Sequence, residues 1–119
     1  DWEGWLRFFL SGVIATADEA VSTTRRILSL FESHRRQIES LGRAAATAFR
    51  AHEYLQRKPI TGVREMASAL ELSYPTVSAV LDRMKKLGIV KELTGFKRNR
   101  IFAYGPYVEL LSEGTEPIR

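Results

Sequence analysis

Apolar positions recur with two different periods along this chain. In the N-terminal third Leu6, Leu10, Val13, Ala17, Ala20, Thr24, Ile27, Phe31, His34 and Ile38 follow alternating steps of four and three, the spacing of a coiled-coil seam. Phe9, Ile14, Val21 and Leu28 add a second stripe beside it. The pattern predicts one helix from about Trp2 to about Ser40. Two stripes predict burial on two sides, and so packing against material beyond the helix itself. At 1.5 Å per residue a helix of ~39 residues reaches ~58 Å, far more than a small domain covers.

Gly42 marks a break. Helical spacing resumes over 44–57 with Ala45, Ala48, Phe49, His52 and Leu55, and stops at Lys58-Pro59, where the residue before proline is pushed out of the helical region. Val63, Met66, Ala67 and Leu70 predict a short helix, and Glu71-Leu72 a turn. Ser73 is the N-cap of the next helix, with Pro75 in its first turn and Val77, Val80, Leu81, Met84 and Leu87 as its buried stripe. Gly88 stops it. Two short apolar strands follow at 89–93 and 101–104, joined by 94–100, with Ile60-Thr61 as a possible third. Tyr107 to Leu111 predicts a last short helix, and the residues from Ser112 onward a frayed tail.

That order predicts a mainly α chain with a small β-hairpin: a long N-terminal helix followed by a winged helix-turn-helix domain, a fold that holds a helix and a cationic loop against nucleic acid. The expected units are 1–41 (long helix), 42–112 (winged helix-turn-helix) and 113–119 (flexible tail).

Charge sharpens this picture. The chain has 119 residues and a net charge of +4. Residues 1–40 hold five Lys/Arg against six Asp/Glu, whereas 41–119 hold thirteen against eight. Between Arg83 and Arg100 seven basic residues face Glu92 alone. A field concentrated there draws a polyanion to one face, although a merely solvated hairpin has the same charge count. With Val77, Val80, Leu81 and Met84 inward, Ser73, Tyr74, Thr76, Ser78, Ala79 and Arg83 become the candidates for contact with double-stranded DNA. Tyr74 suits a phosphate or a thymine methyl, or only shields the helix start. Lys97, Arg98, Asn99 and Arg100 are the candidate phosphate contacts of the wing, and Asn99 lets the turn take a positive φ. Ala79 and Asp82 make the reading surface thin, so weak sequence selectivity is expected. Asp82 can alternatively pair with the wing arginines.

No cysteine is present, and no metal-ligand cluster, phosphate-cradling glycine loop or nucleophile motif. No metal and no cofactor is expected. His34 and His52 read as satisfied core or seam histidines rather than ligands or bases. With no membrane span and no signal peptide, the expected location is the cytoplasm. The start at Asp1 suggests a fragment of something longer.

Asp1-Trp2-Glu3-Gly4-Trp5-Leu6-Arg7-Phe8-Phe9-Leu10, with Val13, resembles the segment that closes the catalytic core in bacterial Fic-family proteins. Ser73-Tyr74-Pro75-Thr76-Val77, Leu87-Gly88-Ile89 and the run from Thr94 to Tyr104 are similar to the tail of the same proteins. The resemblance implies an AMP-transferase parent whose catalytic motif, His-Pro-Phe-x-x-Gly-Asn-Gly-Arg, is not in this chain; this part is then its non-catalytic regulatory end. It also implies an upstream Fic catalytic domain as a partner for the long helix. Leu6, Leu10, Val13, Ile27 and Phe31 are the candidates for that packing or for a homodimer. An interaction module without DNA binding is the alternative.

Overall fold

The computed structural model describes residues 1–95 and 98–115. Helix α1 (Trp2–Glu39) leads through a single 3-10 turn (Gly42–Ala44) into α2 (Ala45–Arg57). Then come β1 (Ile60–Gly62), α3 (Val63–Leu70), α4 (Tyr74–Lys86), β2 (Lys91–Glu92), β3 (Ile101–Ala103) and α5 (Gly105–Thr115). This is the expected architecture, a long helix followed by a winged helix-turn-helix. The three strands form an antiparallel sheet in the order β1-β3-β2, with Thr61 and Glu92 on either side of Phe102. The ladders are shorter than the apolar runs predicted: Ile89 and Val90 are buried ahead of β2 as core residues, outside the sheet.

Two helix ends share one device. After α4, Gly88 takes φ +79°, and the N–H groups of Ile89 and Gly88 reach the carbonyls of Met84 and Lys85, both at 3.0 Å. After α3, Leu72 N–H reaches Ala67 O at 2.9 Å and Glu71 N–H reaches Ser68 O at 3.3 Å, the same crossed pair that satisfies orphan carbonyls. Here the left-handed residue is Glu71, at φ 56°, with none of glycine's steric freedom.

Leu55, Val63, Met66, Leu81, Met84 and Phe102 fill the core between α2, α3, α4 and the sheet. The last turns of α1 complete it through Ile38, and α5 packs alongside α1. Phe31 is half-buried against the rings of His52, Tyr104 and Tyr107 at 4.9–5.9 Å between centroids. It is therefore core of its own chain. Ile27 is half-buried too, whereas Leu6, Leu10 and Val13 are exposed, as is every residue from 1 to 22. The free part of α1 projects from the head and draws the molecule out to 66 × 27 × 23 Å.

The two histidines meet on Tyr104. Its hydroxyl lies 2.5 Å from His34 Nδ1 and 2.9 Å from His52 Nε2, and the Gln56 amide nitrogen lies 3.2 Å from His52 Nδ1. With Gln56 donating to Nδ1, His52 Nε2–H donates to the Tyr104 oxygen, whose own proton goes to His34. The chain of bonds is complete with both imidazoles neutral. Burial lowers the pKa of His34; burial, then the charges of His34 and Arg35, hold His52 at about 4. Burial likewise raises the Tyr104 hydroxyl. These are satisfied core histidines, as expected.

Helix α5 runs on to Thr115, beyond the predicted end at Leu111, and Arg26 of α1 pairs with Glu113 at 2.8 Å. Residues 116–119 of the expected tail lie outside the described residues. Among the described residues no helix is long and apolar enough to cross a membrane.

Candidate nucleic-acid interface

Helix α4 begins at Ser73, whose extended backbone lets its Oγ accept the Thr76 N–H at 3.3 Å. The two hydroxyls of Ser73 and Thr76 also bond at 2.8 Å. Pro75 costs nothing in the first turn, where its missing N–H would have had no helical partner. Burial of Val77, Val80, Leu81 and Met84 then leaves Thr76, Ala79, Arg83 and Lys86 in a row on the solvent side, at steps of three and four, with Pro75 beside them. Arg83 and Lys86 make no ion pair among the described residues.

Tyr74 does not join that row. Its ring packs on the core, and its hydroxyl is buried with no hydrogen-bond partner among the described residues. It shields the helix start, the second of the two roles open to it. Ser78 is half-buried and turned to the wing, where its Oγ accepts from Arg100 at 2.7 Å.

Arg100, expected on a phosphate, is committed inside the protein. Nε donates to Glu92 Oε2 at 3.1 Å, Nη2 to Glu92 Oε1 at 2.8 Å and to Asp82 Oδ1 at 2.6 Å, and Nη1 to Asp82 Oδ2 at 3.2 Å and Ser78 Oγ. All five N–H donors of the fork are used. The guanidinium also lies 4.9 Å from the Phe102 ring centroid. Hydrogen bonds from Arg100 hold the carboxyls of Asp82 and Glu92 below their ordinary range, and those same bonds raise Arg100 further. Lys85 adds a longer contact to Glu92 at 3.8 Å. The repulsion of phosphate expected from Asp82 is thereby offset by a paired cation, and α4, β2 and β3 are clamped together.

The wing stem is closed by Leu93 N–H to Ile101 O at 2.8 Å and Ile101 N–H to Thr94 Oγ1 at 3.1 Å. At the tip Asn99 takes φ 55°, as its residue type predicted, and Arg98 is exposed without an ion pair among the described residues. Lys97 lies outside the described residues. What remains outward is a row on α4 and a cation at the wing, held at fixed distance by a clamp that uses the acidic residues of an otherwise basic stretch.

Residues 46–91 match the family model described as winged helix-turn-helix DNA-binding. The match runs from α2 to the first residue of β2, so it includes both helices of the turn motif and leaves α1 outside. Among solved structures, the crystal structure of RV1404 from Mycobacterium tuberculosis is similar, with 16% identity and a TM-score of 0.47 over 86% of this chain and 73% of that one. No curated protein matches the chain.

Two features of the winged helix were not predicted from the residues. One is the left-handed Glu71 in the turn, where glycine would have been the visible signal. The other is Arg50 of α2, whose Nη2 donates to Leu70 O at 2.7 Å and ties α2 to the end of α3. Among the described residues no cluster of three or more His, Cys, Asp or Glu could hold a metal ion.

Proposed function

We propose that this chain binds double-stranded DNA as a non-catalytic regulatory module, presenting α4 to the major groove and the wing tip to the adjacent backbone. The observation that supports it most is the uncovered row Thr76, Ala79, Arg83 and Lys86 beside a wing whose angle Arg100 fixes. Arg83 and Arg98, with Lys97, supply backbone or guanine contacts, while Ala79 offers only a methyl group to a thymine. So small a set of base-reading groups means broad selectivity, with affinity carried by phosphates. Ser73 contributes by capping α4, and Ser78, Tyr74 and Arg100 by holding it in place. Two heads joined through α1 would suit a palindromic site. The compartment for such a module is the cytoplasm.

Fluorescence anisotropy of a labelled duplex over a salt series tests this reading. Log affinity should fall linearly with log salt, and Arg83→Ala or Arg98→Ala should each lower the slope by about one. Absence of binding at low salt would refute it.

We further propose, on the resemblance of residues 1–10 and 73–104, that the parent polypeptide is a Fic-type AMP transferase. The open stripe of Leu10, Ile14, Val21 and Leu28 offers its catalytic domain a surface. A coding sequence ahead of Asp1 without the histidine-containing loop would exclude it.

A further inference from the structure

We propose that two copies of this chain pair through the free half of α1, antiparallel, about a two-fold axis between Gly12 and Val13. The face of α1 that its own head covers at Ile27, Phe31, His34 and Ile38 continues toward the N-terminus in steps of three and four. It passes through Thr23, Ala20, Thr16, the Gly12-Val13 pair, Phe9, Trp5 and Trp2. The uncovered seam is thus an extension of an interface already built, and most of a helix's stability in a protein comes from packing of its apolar face rather than from propensity.

Side-chain size divides this face in two. On the N-terminal side Trp2 stacks on Trp5 at 5.6 Å and Trp5 on Phe9 at 5.5 Å, a ladder of rings. On the other side stand Gly12, Thr16, Ala20 and Thr23. Gly12 has nothing within 4 Å of where a Cβ would stand, and it floors an apolar hollow beside Phe9, Val13 and Thr16. Trp2, Trp5 and Phe9 are 74%, 54% and 52% exposed. At the usual area of an aromatic side chain these three leave on the order of 400 Å² uncovered. With the small half of the face added, the area approaches the ~800 Å² per partner of a stable interface.

A second copy fits this shape in one direction. In a parallel pair rings would oppose rings at one end and methyl groups would oppose methyl groups at the other. The axes, normally 8–10 Å apart, would be forced open at one end and leave a void at the other. In an antiparallel pair centred between Gly12 and Val13, Trp2 lies over Thr23, Trp5 over Ala20 and Phe9 over Thr16 of the second copy. The Thr16 hydroxyl already donates to Gly12 O at 2.9 Å, so it enters the interface without losing a partner. At 100° per residue Arg7, Asp18 and Arg25 fall on the reverse of the helix and stay in water.

The test uses the full chain in sedimentation equilibrium without DNA, so its result is separate from the DNA-binding reading. The expected species is a dimer. Ala20→Trp should weaken it about tenfold or more by setting ring against ring, and Trp5→Ala combined with Ala20→Trp should restore it by exchanging large for small. Because the chain has no cysteine, Trp5→Cys and Ala20→Cys report direction cleanly. Mixed and oxidised, they should cross-link, while neither should cross-link to itself. A monomer, a self-linked Ala20→Cys species, or a double exchange no tighter than Ala20→Trp alone would each overturn the proposal.

Discussion

Replacing Arg100 by Met separates a structural clamp from a phosphate contact, because the two roles predict opposite results. Met keeps an apolar stem against Phe102 and removes all five donors. Glu92, whose side chain is 13% exposed, would be left charged and unpaired, whereas Asp82, at 46%, would recover part of its hydration. Breaking a fully buried pair costs about 3–5 kcal/mol, and half-exposure of one partner reduces this, so the expected loss is about 3 kcal/mol. For a domain of this size that corresponds to a fall in Tm of about 10 °C. The pH dependence should change as well. Pairing lowers the folded pKa of Asp82 and Glu92, so their stabilisation is present above the unfolded carboxylate values near 4 and is lost as pH falls through the lower folded ones. Arg100→Met should flatten that acid limb. Urea denaturation at several pH values, beside DNA binding over a salt series, reads both quantities. Stability within about 0.5 kcal/mol of the parent, together with a salt slope reduced by about one, would refute the clamp and return Arg100 to the phosphate.

Glu71→Gly should stabilise the domain by about 0.5 kcal/mol, the relief of a left-handed non-glycine residue less the added freedom of the unfolded chain; thermal melts check it, and a loss would show that the Glu71 side chain has a role of its own. Tyr74→Phe should raise stability by about 1 kcal/mol by removing a buried hydroxyl that has no partner among the described residues, and a destabilised variant would mean that the hydroxyl is bonded. The folded pKa of His52 is depressed from 6.5 to about 4. The unfolded chain therefore binds the extra proton first, and stability should fall by up to about 3 kcal/mol as pH drops from 6.5 towards 4. Denaturation series on the parent and on His52→Gln should show this slope lost in the variant.

Elements marked by punctuation residues were legible in the sequence. Ser73 and Gly88 bracket α4, Pro59 ends α2, and Asn99 takes the predicted left-handed turn. Where a structure depends on partners distant in the chain, the residues gave less. Arg100 sits among cations and so read as a phosphate contact; only contact across 18 residues to Asp82, with the β2–β3 register, turns it inward. Glu92 inside that basic stretch and Asp82 just ahead of it were the available signal, and the pairing of Asp82 with a wing arginine was the alternative they offered. His34 and His52 stand on separate helices, and nothing local shows that both reach the Tyr104 hydroxyl. On α1 the seam spacing is continuous from Leu6 to Ile38, yet the head covers only its last turns, because periodicity records which face is apolar and not where the cover stops.

The joint at Tyr104 also decides what can be cut away. This ring follows β3 directly, yet its hydroxyl bonds His34 and its face meets Phe31, both contributed by α1. A truncated chain beginning at Gly42 would keep every element of the winged helix and still have a hole in its centre, with Ile38 missing and the hydroxyl short of one acceptor. The smallest autonomous piece of this protein therefore starts inside the long helix, near Ile27, well before the break in the chain at Gly42.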